Sequence, residues 1–111
     1  MIEQKILEFV EAVLQVPVSM EIPANPGQRF VVLKLSGQGR ENHLEAANLI
    51  ADSYAESLLE AMKLNTQVKS VLDSLDTLDE ISGIHLAADY PLTDTGSKRY
   101  RYQAVYEVNH Y

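Results

Sequence analysis

The chain has 111 residues, 46% of them apolar, which is enough for one domain with a real core. It has no cysteine, which excludes disulfides and thiolate chemistry. Nine lysines and arginines against sixteen acids give a formal charge of −7, which argues against general duplex binding, because displacing phosphate counterions takes Lys and Arg.

Glu3, Glu8 and Glu11 interrupt the apolar runs near the start, so no secretory signal is read there. No segment approaches the roughly 20 apolar residues that span a bilayer. The default compartment is the cytoplasm.

Residues 2–15 have helical spacing. Ile2, Ile6, Phe9, Val10 and Val13 make one apolar stripe, and Pro17 cannot continue it. Val18–Ile22 reads as a short strand with Val18, Met20 and Ile22 on one face. Asn25-Pro26-Gly27-Gln28 has the residues of a type II turn. Arg29–Ser36 is the strongest strand signal. Val31, Leu33 and Leu35 share one face, and Phe30 and Val32 partly cover the other.

Gly37-Gln38-Gly39 then breaks the strand. Asn42 reads as a helix cap with Glu45 at the capping-box position. The long helix that follows places Leu44, Ala47, Ala51, Tyr54, Leu58 and Met62 on its core stripe. Asn65-Thr66 interrupts it, and a shorter helix ends near Leu78. Gly83–Ala88 is a strand with Ile84, Leu86 and Ala88 inward. A polar loop over residues 90–97 feeds the last strand, Lys98–Asn109. There Tyr100, Tyr102, Ala104, Tyr106 and Val108 take one face, and Arg99, Arg101, Gln103, Glu107 and Asn109 the other. These elements predict a single α+β domain over residues 1–111, in the order α-β-β-α-α-β-β. Its four-stranded, mostly antiparallel sheet has helices packed on one face.

Candidate chemistry is sparse. Gly37-Gln38-Gly39 lies where a phosphate loop would sit, but Asn42 replaces the third glycine of the dinucleotide fingerprint and no Walker lysine follows. The glycines serve a tight turn more simply. Lys98–Tyr102 interleaves bases and rings. Strand alternation separates them, so Arg99 and Arg101 read as a protein-facing pair.

Glu41, Glu45, Asp52, Glu56 and Glu60 fall on one flank of the expected long helix. They make either a solvated face or an acidic wall that lets DNA slide past without sticking. Asp73, Asp76, Asp79 and Glu80 lack the spacing of a calcium loop. His43, His85 and His110 have no ligand spacing, and a His85–Asp89 acid–base pair would need a bend in the chain. There is no nucleophile elbow. No cofactor, metal or catalytic residue is expected.

The element order and three local strings resemble the tail-terminator and tail-completion proteins of long-tailed bacteriophages. The strings are Met20-Glu21-Ile22-Pro23 with Pro26 and Phe30-Val31-Val32; Glu45–Ala51 running on to Glu60-Ala61; and Leu92-Thr93-Asp94 before Arg99-Tyr100-Arg101-Tyr102. Relatives often carry a tryptophan in the middle of the long helix, where this chain has Tyr54.

The resemblance implies a non-enzymatic virion protein, made in the bacterial cytoplasm, that forms a hexameric ring at the head-proximal end of the tail. Its partners would be itself, the tail tube and the head connector, with DNA passing through unbound. Subunit contacts would then involve Pro26, Gly27, Asp94, Arg99 and Arg101, and Glu45, Asp52, Glu56 and Glu60 would face the channel. The alternatives are a dimeric ligand-binding module with a pocket lined by Tyr54, Tyr102 and Tyr106, and an enzyme, for which no convergent set of titratable groups can be assembled.

Overall fold

The first helix forms where its apolar spacing predicts. In the computed structural model, which describes residues 2–22, 29–41, 44–92 and 99–111, α1 (Ile2–Leu14) buries Ile6 and Val10. Ile2 and Phe9 pack half-buried beside them, but Val13 lies outside the stripe, 56% exposed. The helix stops where Gln15 takes a left-handed φ of 60° and Pro17 follows.

The next strand is shorter than expected. β1 (Val18–Ser19) is only two residues long, and Met20 and Ile22 are exposed rather than inward. The Ser19 hydroxyl donates to the Glu21 carbonyl at 2.6 Å, a local bond that turns the chain away from the sheet.

β2 (Phe30–Glu41) has the two expected faces. Val31 and Leu33 join the main core, and Phe30 and Val32 join a separate cluster on the opposite face. It does not end at Ser36. The register shift between Gly37 and Gly39 is a bulge within the strand, which runs on to Glu41.

The main correction concerns the segment expected to be the long helix. Residues Leu44–Ala55 form β3, antiparallel to β2 along its whole length. Alanine, leucine and glutamate favour a helix, but propensity is a weak prior against a strand bonded on both sides. Here β2 lies on one side and β5 on the other. The helix begins only at Leu58. Ser57 is its N-cap and accepts the Glu60 N–H at 3.2 Å, so the working cap is Ser57 rather than Asn42.

α2 (Leu58–Leu72) passes through Asn65-Thr66 without interruption, because Asn65 is buried against the sheet and Thr66 donates back to the Met62 carbonyl. The expected third helix is therefore the end of α2 plus a 3-10 turn, Leu75–Thr77.

β4 (Ile81–Pro91) and β5 (Tyr100–His110) complete a five-stranded sheet ordered β1-β2-β3-β5-β4. All neighbours are antiparallel except β1 and β2. The order is thus α-β-β-β-α-β-β rather than α-β-β-α-α-β-β, within the same α+β class. Both helices cover one face of the sheet. Ile6 and Val10 from α1 and Leu64, Val68 and Leu72 from α2 close over Leu49, Ala51, Ala104, Tyr106 and Val108. β5 alternates as expected, although Tyr100 and Tyr102 lie beyond the buried part.

Candidate functional site

Converting the long helix into a strand and a shorter helix scatters the acidic stripe. Asp52 lies on β3 and is 1% exposed, on the face opposite the helices. It accepts the Gln103 amide at 2.8 Å and stands 3.7 Å from the Arg101 guanidinium. Glu45 is near the other end of the same strand, level with Arg40 and His110, about 23 Å away at strand rise.

Glu56 and Glu60 flank the start of α2. Both meet Arg29, at 2.8 and 3.1 Å. The bond to Arg29 holds the Glu56 carboxyl below its ordinary range and pushes the Arg29 guanidinium up. These acids form no wall along one helix flank, because they no longer share a helix. Arg29, a strand-entry residue that charge sorting did not single out, is what joins two of them.

Arg101 is also engaged within its own chain. Its Nε donates to the Leu92 carbonyl at 3.0 Å and its Nη1 to the Tyr54 hydroxyl at 3.3 Å, and its guanidinium lies 5.7 Å from the Tyr54 ring centroid. Tyr54 in turn stacks on Phe30, centroids 4.5 Å apart and planes 8° apart. Arg99 sits half-buried at the entrance to β5. Pro26, Gly27 and Asp94 lie outside the described residues, as does His43.

A polar cluster on the helix-covered face was not foreseen. The register shift between Leu86 and Ala88 turns Asp89 toward α2, where it meets Lys69 Nζ at 2.6 Å and accepts the Asn65 amide at 3.2 Å. The buried Tyr106 hydroxyl donates to Asp73 at 3.0 Å. Burial first, then the Asp73 carboxylate, raises the Tyr106 hydroxyl far above its ordinary pKa and holds it neutral. Lys69 already supplies the cation beside Asp89, so the cluster reads as a clamp between α2 and the sheet.

The same bulge separates His85 from Asp89. His85 is exposed beside Glu107 on one face, and Asp89 is on the other. Tyr54 and Tyr106 also lie on opposite faces, so Tyr54, Tyr102 and Tyr106 line no common pocket. Among the described residues no group of His, Asp and Glu is placed to hold a metal ion. No helix there is long and apolar enough to cross a membrane. A cavity of about 260 Å³ opens beside β2, between Ile6, Met20, Leu33 and Leu35.

No protein-family model matches this sequence, and no curated protein matches it. Among solved structures, the fold is similar to a chain of one described as "Virion of native gene transfer agent (GTA) particle". The TM-score is 0.71 at 12% identity, covering 96% of this chain and 90% of that one. At that identity the likeness is one of fold, and it extends over nearly the whole of both chains.

Proposed function

We propose that this is a non-catalytic structural protein of a phage or phage-like particle. Copies of it form a ring, a hexamer by family resemblance, at the head-proximal end of the tail and join tail to head. The observation that carries this reading is the match, over 96% of the chain, to the fold of a chain from a virion. The sequence resemblance to tail-terminator proteins points independently to the same kind of particle.

Two further features support it. The sheet has strand edges at both ends, suited to heterologous contacts in which one surface meets a different surface on a neighbour. The charge of −7 suits a ring through which DNA passes without binding. Subunit and partner contacts, to the tail tube and the head connector, are assigned to Pro26, Gly27, Asp94, Arg99 and Arg101. Arg101 is also held within its own chain by the Tyr54 hydroxyl and the Leu92 carbonyl.

The test is loss of the gene in a producing bacterium. Full heads and finished tails should accumulate unjoined, and purified protein should join them in vitro. Joined particles in the deletion strain would overturn the proposal. The alternative, a dimeric ligand-binding module, was expected to use a pocket lined by Tyr54, Tyr102 and Tyr106, and Tyr54 and Tyr106 lie on opposite faces of the sheet.

A further inference from the structure

β2 is bonded to β3 over its full length, but its outer edge meets β1 only at Val31 and Val32. From Leu33 to Glu41 that edge has no strand partner among the described residues. The Val31 N–H donates outward to the Pro17 carbonyl at 2.9 Å. Strand alternation therefore also points the amides and carbonyls of Leu33 and Leu35 outward, while their side chains line the helix-covered face. The cavity between Ile6, Met20, Leu33 and Leu35 opens along this stretch.

β4 forms the other end of the sheet, and its outer edge likewise has no partner among the described residues. The Leu92 N–H donates to Arg101, and the Tyr111 N–H to Glu80, so the odd residues of β5 face β4. His85, opposite Glu107, and Gly83, opposite Asn109, therefore direct their backbone groups to β5. Ile84 and Leu86 direct theirs outward, with half-buried side chains on the helix-covered face.

We infer that the β2 edge of one copy pairs with the β4 edge of the next, Leu35 opposite Ile84 and Leu33 opposite Leu86. This deepens the ring reading and rests on it. Strand direction, hydrogen-bond phase, side-chain face and charge all fit this pairing. Because β2 through β3 and β5 to β4 alternate in direction, a head-to-tail neighbour with the same orientation brings β4 in antiparallel to β2. The outward groups fall on Leu33 and Leu35 in one edge and on Ile84 and Leu86 in the other. All four side chains then share one apolar layer. Lys34 on the β2 edge meets no lysine or arginine on β4, whose residues 81–91 carry none.

The register also places Lys34 opposite His85, as a pair without mutual hydrogen bonds about 4.5 Å apart at Cα, within disulfide reach. The chain has no cysteine of its own, so introduced thiols report cleanly. Under mild oxidation, the Lys34→Cys/His85→Cys double variant should give a covalent ladder that ends at a closed ring. Mixed single variants should stop at the heterodimer. A control pair, Lys34→Cys with the α2 surface variant Ser70→Cys, should give no ladder.

Light scattering on the unmodified chain separates the outcomes. Oligomers without the Lys34–His85 cross-link overturn the edge pairing and leave the ring standing. A monomer at every concentration, with no ladder, overturns the pairing, and the deletion phenotype then decides the ring reading alone.

Discussion

The two faces of the sheet are built by different means. On the covered face, aliphatic side chains from α1 and α2 close over β3 and β5, and the residues that matter are Ile6, Leu49, Val68, Leu72 and Tyr106. On the opposite face no helix packs among the described residues. Order there comes from one stacked ring pair, the Arg101 guanidinium over Tyr54, and Asp52 holding Gln103. The aliphatic part of the first arrangement is insensitive to pH and salt near neutrality, with the Lys69–Asp89 clamp beside it. The second depends on a buried carboxylate and a cation, so it ties the shape of the surface beside Leu92 to a few polar contacts. The contrast suits a protein whose covered face provides stability and whose edges and other face meet partners.

Truncation on the covered face should have the largest effect. Leu72 is fully buried, and Leu72→Ala should destabilise the fold by about 2–5 kcal/mol in chemical denaturation. A cost below ~1 kcal/mol would mean that α2 is not seated as described.

On the other face, Asp52→Ala leaves the Gln103 amide without its acceptor and removes the carboxylate beside the Arg101 guanidinium. It should cost about 1–3 kcal/mol. Asp52→Asn, which keeps an acceptor for Gln103, should recover part of that loss. Equal losses for the two variants would show that the carboxylate charge itself is what matters.

Tyr106→Phe sharpens the comparison through pH. The hydroxyl is held neutral in the fold, so its folded pKa lies above the unfolded value of about 10. Its contribution is therefore complete below pH 10 and is lost as pH rises beyond that. The unmodified chain should lose stability in this range, and Tyr106→Phe should lack that component. Near pH 7 the variant should lose about 1 kcal/mol with the Asp73 bond.

The smallest effect belongs to Arg29. Its contacts to Glu56 and Glu60 are solvent-exposed and salt-screened, so Arg29→Ala should leave the melting temperature nearly unchanged. It should also let the Glu56 carboxyl titrate closer to its ordinary range by NMR.

Much of the fold was legible in the sequence wherever one periodicity ran without competition. α1 shows a stripe from Ile2 to Val10, and β2 and β5 alternate cleanly enough to assign Val31, Leu33, Ala104 and Val108 to the core. β3 was not legible in that way. Its Glu45-Ala46-Ala47 start and the false cap at Asn42 favour a helix, and only its two partner strands decide otherwise. Two local signals pointed the right way. Ala47, Leu49, Ala51, Ser53 and Ala55 alternate with bulkier or polar residues, and Ser57-x-x-Glu60 has the sequence of a capping box just before α2.

The sites divide along the same line. Arg101 lies off the helix-covered face, because β5 alternates, but its internal partners depend on Tyr54 being in a strand. The Asn65–Lys69–Asp89 cluster depends on a bulge beside Ala87, which nothing in the local sequence marks. The unpaired edge of β2 appears only once β1 is seen to stop at Ser19.

The central claim is that copies of this chain close into a ring, and the most direct measurement is solution mass by light scattering over a wide concentration range. The account predicts a discrete species of about six subunits whose share rises with concentration. A stable dimer at every concentration, or a monomer together with joined particles in the deletion strain, would contradict it.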